Sequence, residues 1–126
     1  MKSIGLEILK EAIRRSWSKE TSNLPVEWTP KKSYLGQCAA TALVVQDYKD
    51  GELLFALIGY DDFIYGTHIW NRLLNGREID FTREQYPNIP DYCFHGTVIK
   101  REEVLCNVET KERYVILKQQ VEKLFE

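Results

Sequence analysis

No stretch of this 126-residue chain approaches the roughly 18 consecutive apolar residues that cross a bilayer, and the charged opening over residues 2–15 lacks the apolar centre and cleavage site of a secretory leader. Cysteine is scarce. Cys38, Cys93 and Cys106 are three in number with no C-x-x-C pair, which argues against a disulfide framework. No block of like charge is present: 17 basic residues mix with 19 acidic ones for a net charge of -2, so neither nucleic acid nor a membrane is an expected partner. Repeats, low-complexity tracts and linkers are absent as well. What remains is a chain expected to be cytoplasmic, with its thiols reduced and free to react.

At 44% hydrophobic residues, the chain can bury about two-thirds of its unfolded surface as one domain over residues 1–126. Leu6, Leu9, Ile13 and Trp17 fall at helical spacing, which predicts an amphipathic helix over 3–17 that starts near Ser3. Residues 18–34, with Pro25, Pro30 and Thr21-Ser22-Asn23, read as an irregular loop. A second helix over 36–48 is apolar from Ala39 to Val45 and therefore buried on more than one side. Lys49-Asp50-Gly51 ends it. The apolar run at 52–60 reads as a central strand, with further strands at 64–71 and 77–82 joined through Asn75-Gly76, and a weaker one at 92–100. Tyr114, Leu117, Val121 and Leu124 share one face of a last helix over 110–125. This order gives an α+β fold: helices packed on an antiparallel sheet of 3-4 strands, followed by a C-terminal helix.

The chemistry centres on Leu35-Gly36-Gln37-Cys38, which runs straight into the second helix. The unpaired N–H groups and positive partial charge of a helix start favour a thiolate, so Cys38 stands where a nucleophile belongs. His68 and Asp80 follow on separate strands, able to act as the base and the carboxylate that orients it. Side-chain parity discriminates between hairpin registers. A two-residue turn puts His68 and Asp80 on opposite faces, whereas a wider loop pairs Asn71 with Arg77, Ile69 with Ile79 and His68 with Asp80. The wider loop is expected, since it joins two isoleucines on one face and the histidine and carboxylate on the other.

The backbone N–H of Cys38 and the side-chain amide of Gln37 are the candidate oxyanion donors. Trp28, Tyr34 and Trp70 are candidate substrate-binding aromatics, though Trp28 serves equally to fasten its loop. Each catalytic residue also has a plain use: Cys38 as a small core side chain, His68 as an ordinary strand residue, Asp80 as a cap for the turn through Thr82. Cys93 and His95, with Cys106 or Cys38, carry zinc-ligand side chains, but their spacing lacks the paired close ligands of structural zinc sites. No metal and no cofactor is expected. The substrate, a small molecule or a peptide, and the oligomeric state stay open.

Trp17-Ser18-Lys19-Glu20-Thr21, Trp28-Thr29-Pro30, Gly36-Gln37-Cys38 through Asp47, His68-Ile69-Trp70-Asn71-Arg72-Leu73 and Asn75-Gly76 through Gln85 recur in one order in the YunG-like bacterial family. The chain resembles that family over nearly its whole length, and the resemblance brings no activity with it. A more distant likeness, carried by Cys38, by His68 with Trp70 and by Asp80, is to papain-like and transglutaminase-like enzymes. That likeness implies a thiol hydrolase or acyltransferase. The alternative is a non-catalytic binding module that keeps the same fold.

Overall fold

The computed structural model describes residues 4–126, and it is α+β. In chain order it runs α1 (Leu6–Ser16), α2 (Cys38–Lys49), β1 (Glu52–Tyr60), β2 (Phe63–Arg72), β3 (Glu78–Ile79), β4 (Thr97–Ile99), α3 (Arg101–Leu105) and α4 (Val108–Leu124). The expected helix start near Ser3 lies outside the described residues; within them, α1 begins at Leu6. The four strands form an antiparallel sheet in the order β3-β2-β1-β4.

Alternation along β1 divides the interior in two. Leu53 faces a core of α1, α2 and α4 side chains, including Leu9, Ile13, Leu43, Val44 and Leu117. Leu54, Ala56 and Ile58 face a second cluster with Trp70, Tyr86 and Ile89. Every residue of α2 from Ala40 to Val45 is buried, as its almost continuous apolar run implies. Asn71 ties this helix to the sheet, donating from Nδ2 to the Ala42 carbonyl at 2.9 Å.

The hairpin register differs from the expected one. Asn71 pairs with Ile79, not Arg77, and Arg72 pairs with Glu78. The connection is shorter than expected because the Leu73 N–H reaches the Arg77 carbonyl at 2.8 Å and Gly76, at φ +89°, closes the loop back onto Leu73. The displacement is two residues, and a shift of two preserves faces. His68 and Asp80 therefore share a face as diagonal neighbours rather than as a direct pair.

Two strands are shorter than their apolar patterns imply. β3 ends at Ile79 because Asp80 Oδ1 accepts the Thr82 N–H at 3.0 Å, a local turn that replaces ladder bonding. β4 starts only at Thr97, since Asp91–Cys93 forms a 3₁₀ turn instead. Cys93 and His95 thus do not share a strand face, and Cys106 lies exposed just past α3. Among the described residues no group of three or more His, Cys, Asp or Glu side chains is arranged to hold a metal. No helix among them is long and apolar enough to cross a membrane.

Candidate functional site

The turn that presents Cys38 is fixed from behind by the segment after α1. Ser22 Oγ donates to the Leu35 carbonyl at 2.7 Å, and the Asn23 N–H donates to the Gly36 carbonyl at 3.0 Å. Gly36 has φ +72°, and a Cβ there would lie 2.5 Å from Ser22 Oγ, so this approach requires glycine. Gln37 is fully buried; its Nε2 donates to the Ser18 carbonyl at 3.0 Å and its Oε1 accepts from Thr21 Oγ1 at 2.7 Å. Its amide is engaged in holding the loop. Trp17 Nε1 donates to Thr41 Oγ1 at 2.9 Å, pinning the first turn of α2 to the end of α1.

The first backbone bond of α2 runs from the Thr41 N–H to the Gln37 carbonyl at 3.0 Å, so the amides of Cys38, Ala39 and Ala40 precede the helical ladder. Cys38 itself is half-buried and unbridged.

His68 has no exposed surface. Its Nε2 lies 2.6 Å from Asp80 Oδ2, while the other oxygen of Asp80 takes the Thr82 N–H at 3.0 Å and the Thr82 hydroxyl at 3.2 Å. Asp80 is thus both the partner of the histidine and the cap of its own turn. Three rings enclose the imidazole: Trp70 stacked at 5.7 Å, Tyr86 edge-on at 5.2 Å and Phe94 edge-on at 5.8 Å. Burial alone lowers the pKa of His68, but the bond to Asp80, then the neighbouring Cys38 thiol and the charge of Asp80, outweigh it and raise the pKa to about 9. Nδ1 is buried with no hydrogen-bond partner. In a side chain this enclosed, an unsatisfied ring nitrogen is costly unless a neighbouring group such as the Cys38 thiol engages it.

The cover over His68 is irregular chain held by one arginine. Arg83 donates from Nη1 to the Tyr86 carbonyl at 2.6 Å and from Nη2 to the Ile89 carbonyl and to Asp91 Oδ1, with its guanidinium 3.9 Å from the centre of the Phe94 ring. Gly96 completes the packing: a Cβ there would come within 2.8 Å of Trp70. Sequence reasoning placed Thr82 in a turn capped by Asp80 but missed Arg83, Tyr86 and Phe94. Periodicity says nothing about 3₁₀ turns, and the one available signal was an arginine directly after the Asp80–Thr82 turn.

The candidate aromatics are dispersed. Trp70 is 3% exposed, and its Nε1 donates to Glu78 Oε1 at 2.8 Å. Trp28 is half-buried and closes its own loop by donating to the Ser33 carbonyl at 2.9 Å, while Tyr34 packs on the α1–α2–α4 core.

The family model described as YunG protein matches residues 5–126. A Bacillus subtilis (strain 168) protein described as "Uncharacterized protein YunG" is 32% identical over 81 residues, 64% of this chain. That match spans 63% of the relative's own length, less than two thirds. No solved structure matches the chain. With the family model covering almost all of it, the chain belongs to the YunG family.

Proposed function

We propose that the protein is a thiol acyl-transfer or hydrolytic enzyme in which Cys38 attacks an acyl carbonyl, His68 takes and returns the thiol proton, and Asp80 orients the imidazole. The layout resembles that of papain-like and transglutaminase-like enzymes. The observation that carries the reading is the unpartnered Nδ1 of a fully buried His68 whose Nε2 is on Asp80 and whose pKa Cys38 helps raise. A buried imidazole with one nitrogen on a carboxylate and the other free is prepared to exchange a proton with a neighbouring thiol. A histidine with a pKa of about 9 carries at neutral pH a proton that it can deliver to a leaving group. On expulsion of the leaving group the imidazolium supplies the proton, and the resulting thioester passes to water or an amine.

Alkylation by iodoacetamide, followed at each cysteine by mass spectrometry, tests this, with the exposed Cys106 as internal reference. Cys38 is expected to react at pH 6–7 roughly 10-fold or more faster than Cys106, and His68→Ala is expected to abolish that excess. Matching profiles for the two cysteines, unchanged by His68→Ala, would overturn the reading. That result would favour the second reading, a ligand- or protein-binding module. Its support is the exposed end of the β1–β2 hairpin, where Phe63, Ile64 and Tyr65 stand in solvent.

A further inference from the structure

If Cys38 attacks a carbonyl, the developing oxyanion needs preorganised donors. The backbone N–H of Cys38 at the helix start is one. The Gln37 side chain is fully buried between Ser18 and Thr21, on hydrogen bonds that already hold the turn. The Gln37 amide is therefore committed to the turn, and a donor beyond the helix-start amides of Cys38, Ala39 and Ala40 has to come from another side chain. We infer that the Tyr86 hydroxyl is that donor, a catalytic group of the Cys38 site that binds the carbonyl oxygen of an ester, thioester or amide substrate as it becomes an oxyanion. This inference rests on the acyl-transfer reading above.

Two geometric observations support it. The Tyr86 ring is fixed edge-on to His68 at 5.2 Å and 87°, and it is 8% exposed. Its hydrogen bonds among the described residues are made by its backbone: the N–H donates to the Arg83 carbonyl at 3.0 Å, and the carbonyl accepts from Arg83 Nη1 at 2.6 Å and from the Ile89 N–H at 3.3 Å. The hydroxyl is left without a protein acceptor on a ring that cannot drift. It also stays a donor, because burial, Cys38 and Asp80, in that order, all push its pKa above the ordinary phenol value.

The step balances without a proton moving to or from Tyr86. The sulfur lone pair forms the C–S bond while the carbonyl π pair moves onto oxygen, which accepts from the Tyr86 O–H. Collapse returns that pair, breaks the bond to the leaving group, and His68 delivers the proton to it.

Two reagents separate this role from a structural one. Acetylation of Cys38 by p-nitrophenyl acetate passes through an oxyanion; alkylation by iodoacetamide does not. In Tyr86→Phe the ring and its contact with His68 persist, and the melting temperature should hold because the hydroxyl has no partner to lose. Acetylation should slow roughly 10- to 100-fold while alkylation stays within about twofold of the parent protein. Equal acetylation in the two proteins overturns the role of Tyr86 and leaves the thiol chemistry standing. Parallel loss of both reactions overturns it too, since the ring would then act only by placing His68. A parent protein that p-nitrophenyl acetate does not acetylate at Cys38 overturns this inference together with the acyl-transfer reading.

Discussion

The two faces of the sheet are built by different means. On one, α1, α2 and α4 bury Leu9, Ile13, Leu43, Val44 and Leu117, regular helices meeting through aliphatic side chains. On the other, 3₁₀ turns and loop carry Tyr86, Ile89 and Phe94 over Trp70 and a buried imidazole, and one guanidinium joins the Tyr86 and Ile89 carbonyls and lies over the Phe94 ring. The first face obtains its stability from area alone, which is non-directional and tolerant of small shifts. The second depends on particular donors meeting particular acceptors, so it fixes geometry more than it adds stability. The His68–Asp80 pair lies on this second kind of face, while Cys38 opens a helix of the first.

The widest separation between the faces should come from Leu117→Ala. Leu117 has no exposed surface and sits where α4 meets the core, so its truncation should cost about 3 kcal/mol in unfolding free energy. Below the melting transition, alkylation of Cys38 should be unchanged, because nothing in the His68 cover touches that position. A variant that loses Cys38 reactivity while still folded would show the two faces to be one cooperative unit.

Arg83→Met asks the reverse. The methionine keeps much of the apolar stem but leaves the Ile89 carbonyl without its arginine donor and the Tyr86 carbonyl with only the longer bond from the Ile89 N–H, at a cost of about 1–3 kcal/mol. The ion pair with the almost fully exposed Asp91 should add little to that. Hydrogen exchange should accelerate over residues 84–95 and stay protected in α2 and α4. Uniform acceleration through the helices would mean that the arginine supports the whole fold rather than the cover.

How much of this was legible follows the same division. The helical face was readable because Leu9, Ile13, Tyr114, Leu117 and Val121 repeat at helical period and are buried, Leu124 being the exception at the frayed end of α4. The contact of His68 with Asp80 was readable from strand parity, which survived a register error of two residues, and the place of Cys38 at a helix start was readable from the apolar run that follows it. The cover was not readable. Its turns bury Tyr86 and Ile89, joined by hydrogen bonds from Arg83 three and six residues back, a local arrangement with no hydrophobic period in the sequence. The use of Gln37 as a strut was equally hidden, since its partners Ser18 and Thr21 lie in a loop whose path the sequence left open.

The finest test is of the bond that joins the two halves of the site. Asp80→Asn keeps the shape, and its amide oxygen still accepts the Thr82 N–H, but the charge opposite His68 is gone. The pKa of His68 in the folded protein, about 9, lies above the ordinary value of 6.5, so the folded state holds the proton more tightly than the unfolded chain. The stability this confers is complete below about pH 6.5 and is lost as pH rises through about 9. Melting temperatures of the parent and of Asp80→Asn should therefore differ most near pH 6, by the equivalent of about 1–2 kcal/mol, and converge above pH 9. A gap that stays constant from pH 6 to pH 10 would mean that Asp80 serves the turn alone. The orienting carboxylate of the site would then have to be sought elsewhere.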